Sequence, residues 1–206
     1  AACTNAPDQQ VTAGSIAKSL IKGRSKPVPP TPEQMAASIQ TVLASTTAPV
    51  IALAIPSRKA ATVMQQLEVN HGYATFGSSD RRSVTFLGGM VTGTRGLGND
   101  IMSSNISGVQ ALITGRRDGS AQRVMRYLNG DDEIVAQVST CSIRVGATDR
   151  YRVAEVDSAA TSVSETCLAE GLEFTNTYRV APDGRVLQSQ FWHSPLNGYI
   201  TIQALR

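Results

Sequence analysis

The sequence predicts a mainly β protein, an antiparallel barrel- or sandwich-like domain with one or two short helices at its N-terminal end. Three observations carry that reading. From Val50 onward the chain is a succession of short β-branched runs divided by turn residues, the texture of consecutive hairpins. Leu172–Val180 alternates, with Leu172, Phe174, Tyr178 and Val180 on one side and Glu173, Thr175, Thr177 and Arg179 on the other, as a half-buried strand requires. Apolar residues at helical spacing occur before Ser45.

Residues 1–10 read as a tether, ahead of a single β-rich domain over 11–206 whose part up to residue 45 is helical. Ala13, Ile16, Ala17 and Leu20 share one helical face and Gly23 is a natural stop. Lys26–Pro30 is a stiff extended connector. Thr31-Pro32-Glu33-Gln34 then offers a capping threonine, proline at the first helical position and glutamine three after the cap. The spacing of Met35, Ile39, Val42 and Leu43 predicts a helix over Pro32–Ala44, laid on the β core or plugging one end of it.

Val50–Ile55, closed by Pro56, predicts a buried strand. Ala61–Val69 fits helix or strand and ends at the turn Asn70-His71-Gly72. Tyr73–Phe76 and Ser83–Leu87 are short strands about the polar turn Gly77–Arg82. Gly88–Thr94 runs into a glycine loop, and Ile101–Ser107 reads as irregular or a single turn. From Val109 the pattern is β meander. Asn129-Gly130-Asp131-Asp132 joins Ala121–Leu128 to Glu133–Val145 as a hairpin. Strands at Tyr151–Val156, Val163–Cys167, Leu172–Val180, Arg185–His193 and Tyr199–Ala204 follow, with turns at Pro182-Asp183-Gly184 and Pro195–Gly198.

Composition narrows the function. Net charge is +3, but the basic residues are scattered, with arginine doublets only at Arg81-Arg82 and Arg116-Arg117. No basic stripe interleaved with aromatics marks a nucleic-acid surface. No apolar run is long enough to span a bilayer.

Ala1-Ala2-Cys3 reads as the last three residues of a bacterial lipobox, which makes Cys3 the lipidation site and gives an anchor without a transmembrane helix. A chance triplet or tag remnant is the competing explanation. Export places the chain in an oxidising compartment, where Cys141 and Cys167 become a candidate disulfide; two buried free thiols are the alternative. Three cysteines and two histidines without CxxC or HxxxH spacing do not assemble a zinc site. No metal or cofactor is implied.

Catalytic patterns are missing as well. TGTRGLGND, Thr92–Asp100, lacks the lysine of a phosphate-binding loop and has its glycines in the wrong order, so the glycines supply positive φ in a tight loop. There is no GxSxG elbow. His71 sits in a turn and His193 at a strand end, and a disulfide would consume the cysteines with which either could pair. Asp131-Asp132-Glu133 occupies a hairpin tip, where carboxylates are solvated and weakly tuned. Trp192 with Phe191, near Gln188 and Gln190, could stack on a sugar ring; a core or barrel-rim position is the better reading of that tryptophan.

Three stretches, TRGLGNDIMSS (Thr94–Ser104), AQRVMRYLNGDDEIV (Ala121–Val135, with Cys141 close behind) and QSQFWHSPLNGYI (Gln188–Ile200), together resemble the group 4 capsule polysaccharide lipoproteins, the GfcB/YjbF-like family. Cys3 fits the family's lipoprotein character, while residues up to Ser45 carry no match. The resemblance implies a β-barrel-like periplasmic domain tethered to the outer membrane by its lipid. It further implies a non-enzymatic role in assembling or exporting capsule or exopolysaccharide. The partner would be an outer-membrane β-barrel or periplasmic polysaccharide-secretion protein, or the polysaccharide itself. The family hands over no proven functional residues. Arg95, Asp100 and Trp192 are the candidate contact residues within the matched stretches, with an Arg95–Asp100 salt bridge closing the glycine loop as the structural alternative. A periplasmic polysaccharide-modifying enzyme is the competing function, which a histidine beside a nucleophile in a cleft would favour.

Overall fold

A computed structural model describes residues 30–129 and 131–206. The tether, Cys3 and the expected first helix lie outside the described residues. The elements run α1 (Pro32–Ser45), β1 (Val50–Ile55), a 3₁₀ turn (Pro56–Arg58), β2 (Ala60–Asn70), β3 (Tyr73–Gly77), β4 (Ser83–Leu87), β5 (Met90–Arg95) and β6 (Ile101–Asn105). There follow α2 (Ser107–Thr114), β7 (Gly119–Leu128), β8 (Ile134–Val153), β9 (Val156–Ala169), β10 (Leu172–Val180), β11 (Val186–Ser194) and β12 (Gly198–Ala204).

All twelve strands belong to one sheet, in the order β5-β4-β3-β2-β1-β12-β11-β10-β9-β8-β7-β6. Each ladder is antiparallel, and β1 closes on β12, with Ile51 opposite Ala204 and Leu53 opposite Ile202. The result is a nearly closed meander barrel with one seam, between β5 and β6. Side chains bridge that seam: the Ile101 N–H donates to Thr94 Oγ1 at 2.9 Å, and Arg95 Nη1 donates to the Ile101 carbonyl at 3.0 Å. Inward residues of the strands make the core, among them Leu53, Met64, Val84, Met125, Ile143, Val163, Phe174, Tyr178 and Ile200. A satellite core of Tyr151, Val156, Ala160, Ala181 and Leu187 forms where the far ends of β8 and β9 pack on neighbouring strands.

Helix α1 forms where its capping box predicts. Thr31 Oγ1 accepts from the Gln34 N–H and Gln34 Oε1 accepts from the Thr31 N–H. It lies along β2 and β1 on the outside of the wall, with no fully buried residue. Arg206 anchors its end: the guanidinium donates to the Leu43 carbonyl at 2.9 Å and the Thr46 carbonyl, and pairs with Glu155 at 2.6 Å. A cation suits the unsatisfied carbonyls of a helix C-terminus. Among the described residues no helix is long and apolar enough to cross a membrane.

Three elements differ from the sequence reading. Ile101–Asn105 is a strand, β6, whose bulge between Ile101 and Ser103 breaks the alternation that would have marked it. Ser107–Thr114 is a helix inside the expected meander; Val109 and Ile113 lie one turn apart and are both 0% exposed. Their burial against β7 and the barrel end outweighs a β-branched composition that favours strand. Tyr151–Val156 is no separate strand either. β8 continues to Val153 through a shift between Val145 and Thr148, and the turn comes at Ala154-Glu155.

Candidate functional site

The loop bridging the seam is built by one carboxylate. Asp100 accepts from the Gly96 and Leu97 N–H groups at 2.8 and 3.0 Å and from the Thr94 hydroxyl at 2.9 Å. The loop therefore closes through backbone amides, with no Arg95–Asp100 ion pair. Arg95 is exposed and its Nη1 donates to the Thr94 and Ile101 carbonyls. Gly98 has φ +79°, and a Cβ there would lie 2.9 Å from the Arg58 guanidinium, which caps the Leu97 carbonyl at 2.7 Å. The positive φ favours glycine at this point, and a side chain there would also push the Arg58 guanidinium off its carbonyl.

The turn between β11 and β12 docks on that loop. The Asn197 amide donates to the Leu97 and Gly98 carbonyls at 3.1 and 2.8 Å, and the Asn197 carbonyl accepts from the Ser57 hydroxyl at 2.6 Å. Behind it lies His193, 0% exposed. Its Nε2 is 3.2 Å from Thr94 Oγ1 and its Nδ1 is 3.0 Å from Ser194 Oγ and 3.2 Å from the Asn197 amide nitrogen. Thr94 gives its proton to Asp100, so Nε2–H donates to Thr94 while Nδ1 accepts from the Ser194 hydroxyl. Burial lowers the imidazole to about 4; the Asp100 carboxylate pulls the other way and Arg58 adds to the depression. His193 is a neutral ring. An imidazole beside two hydroxyls is the raw material of nucleophilic catalysis. Here Ser194, His193 and Asn197 are all 0% exposed.

A second polar cluster fills the middle of the barrel. Arg123 Nε and Nη2 donate to both Glu165 oxygens at 2.9 and 2.8 Å. The Tyr178 hydroxyl donates to Glu165 at 2.6 Å, and the Asn176 amide donates to the same oxygen at 2.8 Å. The Trp192 N–H donates to Asn176 Oδ1 at 2.7 Å, tying β11 to this cluster. Burial, and then the neighbouring Glu165 charge, push the Tyr178 hydroxyl well above its ordinary pKa, so it stays a donor. Beside it Cys141 and Cys167, directly opposite on β8 and β9, form a disulfide. Glu165 lies within 4.8 Å of both sulfurs, but bonded sulfurs offer no thiolate to a metal.

The other end of the barrel is open. A cavity of about 730 Å³ is lined by Ile51, Phe76, Phe86 and Ile202 on its apolar walls and by Gln66 and Gln110. Helix α2 and the turns at Gly88-Gly89 and Asp183-Gly184 frame its entrance.

Residues 16–205 match the family described as group 4 capsule polysaccharide lipoprotein GfcB, YjbF. The chain belongs to that family. It is also similar in structure to the hypothetical lipoprotein YmcC from Escherichia coli (K12). The TM-score is 0.71 over 97% of this chain and 98% of that one, at 13% identity; at that identity the likeness shows the fold. A putative exported protein with a YmcC-like fold from Bacteroides fragilis aligns over 77% of this chain and 93% of its own. Its TM-score is 0.29 at 10% identity, too loose a likeness to carry an argument. No curated protein matches the sequence.

In this member of the family the three resembling stretches converge. The first and third supply the docked loops of the closed end, and the second supplies Arg123 and Tyr127, whose hydroxyl donates to the His193 carbonyl at 2.6 Å. The contact residues read from them separate. Arg95 is exposed, and Asp100 is half-buried and committed to its loop. Trp192 is 7% exposed and stacked on Phe174 at 5.1 Å, so it offers no face to a sugar. Composition gave no hint of the Arg123–Glu165–Tyr178–Asn176 cluster, but alternation did: Glu165 lies between inward Val163 and Cys167, and Asn176 between inward Phe174 and Tyr178.

Proposed function

We propose that this chain is a non-enzymatic outer-membrane lipoprotein, anchored through Cys3 and facing the periplasm, that assists assembly or export of capsule or exopolysaccharide. It acts by binding a secretion partner or the glycan. Family membership across residues 16–205 carries the reading. Burial of the histidine–hydroxyl group supports a binding role over a catalytic one. The outer face of β7–β9 supports a protein partner: Leu128, opposite Ile134, and Val138 and Leu168 are 39%, 65%, 51% and 62% exposed, and exposed large apolar side chains of this kind suit a protein interface. Arg95, at the seam, is the contact residue retained from the resembling stretches.

The test is secreted and periplasmic polysaccharide in a deletion strain complemented with wild type or Cys3→Ser. Secretion lost on deletion and restored only by the wild type is expected. An unchanged amount of polymer with altered composition or chain length would point to a modifying enzyme instead.

A further inference from the structure

We propose that the open mouth of the barrel binds an amphiphile, with one aliphatic chain inside the barrel and an uncharged, hydroxyl-rich head at the rim. The inference goes beyond the export role and stands without it, because it rests on the cavity. At about 730 Å³ the space falls in the range of roughly 300–1,000 Å³ that holds small ligands.

The wall is apolar and incompletely covered. Ile51, Phe76, Phe86 and Ile202 keep 7%, 8%, 6% and 5% of their surface, whereas Val84 and Ile200, one inward step deeper on β4 and β12, keep 1% and 0%. Phe76 and Phe86 meet edge to face at 5.3 Å and present aromatic surface to the space. A polypeptide occupant would need partners for its own backbone. The wall strands β1, β3, β4, β11 and β12 are each paired on both sides or capped by the β1–β12 closure, which leaves no ladder for a peptide to join. An aliphatic chain needs none.

The rim selects the head. Gln66 and Gln110 are half-buried at the cavity, and their side-chain amides make no hydrogen bond among the described residues. A Cβ on Gly88 would lie 1.9 Å from Gln110 Nε2, so this amide lies beside the β4–β5 turn at the entrance. The charged groups there are already used: Arg185 pairs with Asp183 at 2.7 Å, and Arg206 pairs with Glu155 and caps α1. An ionic head would compete with these pairs, while the two glutamine amides suit the hydroxyls of a sugar or polyol head.

The experiment is calorimetric titration of the full chain, produced with Cys3→Ser so that it carries no lipid of its own. The probe is decyl maltoside below its micelle concentration. One saturable site is expected, with affinity rising about tenfold from the octyl to the decyl glycoside. Maltose alone should not bind, and decyl sulfate should bind at least about tenfold more weakly. Ala74→Trp, which fills the cavity from β3, should abolish binding. Gln66→Leu should weaken decyl maltoside about tenfold while leaving decanol binding intact, and it carries the test if Ala74→Trp does not fold. Absence of saturable binding, or binding unchanged in both variants, would overturn the site. Decyl sulfate binding as tightly as the maltoside would overturn the uncharged head.

Discussion

Arg123 on β7 grips Glu165 on β9 across the intervening strand β8, through two parallel hydrogen bonds of 2.9 and 2.8 Å in the barrel interior. The side chains are 3% and 0% exposed, and Tyr178 and Asn176 complete the carboxylate's shell. Removing one partner strands the other charge in a low-dielectric interior. Arg123→Met should therefore cost ~3–5 kcal/mol, read as a fall in the urea unfolding midpoint. The pair Arg123→Met with Glu165→Leu should cost less than the sum of the single changes. Strict additivity would mean that the two side chains are not coupled.

Acid should weaken the fold through His193. Its imidazole titrates at about 4 in the folded chain and at about 6.5 when unfolded. Between those values the unfolded chain takes up a proton that the native one refuses. The contribution is full above pH ~6.5 and is lost as the pH falls toward 4, amounting to ~3 kcal/mol. Unfolding midpoints from pH 4 to 7.5 should fall less steeply for His193→Gln than for the wild type. Equal slopes would contradict the buried neutral ring.

The Cys141–Cys167 bond closes a loop with a sequence separation of 26. In the chain-entropy account such a crosslink is worth ~3–4 kcal/mol. Mass spectrometry of the non-reduced protein should find the two peptides joined, and Cys141→Ala with Cys167→Ala should lower the unfolding free energy by that amount. Free thiols at both positions would remove the crosslink.

Asp100 should be a folding residue of the seam and Arg95 a surface residue. Asp100→Ala leaves the Gly96 and Leu97 N–H groups and the Thr94 hydroxyl without their acceptor, at a cost of ~1–3 kcal/mol. Amide exchange at Gly96, Leu97 and Ile101 should accelerate. Arg95→Ala should shift stability by less than ~1 kcal/mol. A larger loss for Arg95→Ala would assign the seam to the arginine.

Much of this architecture is legible in the sequence where local chemistry and tertiary burial agree. The capping box at Thr31–Gln34, the alternation of Leu172–Val180 and the strand Val50–Ile55 each appear at the expected place. Helix α2 was hidden because Val109 and Ile113 favour strand locally and become helical only with the barrel end to bury them. The long strand β8 was hidden by its own bend at Val145–Thr148. At the site, glycines and aromatics drew the eye to Arg95 and Trp192. The residues that organise the interior are polar ones at inward positions, and the partner of each lies far away in sequence: Arg123 and Glu165 are 42 apart, Thr94 and His193 are 99 apart.

If the barrel interior is a scaffold, as proposed above, its buried polar groups do no chemistry. His193→Gln tests it most directly, since it removes the imidazole of the histidine–hydroxyl group. In a deletion strain, with lipoprotein levels matched to wild type, the variant should restore secreted polysaccharide in full, with unchanged composition and chain length. Failure of a folded, normally abundant His193→Gln protein to restore it would contradict the claim and make the buried group a reaction centre.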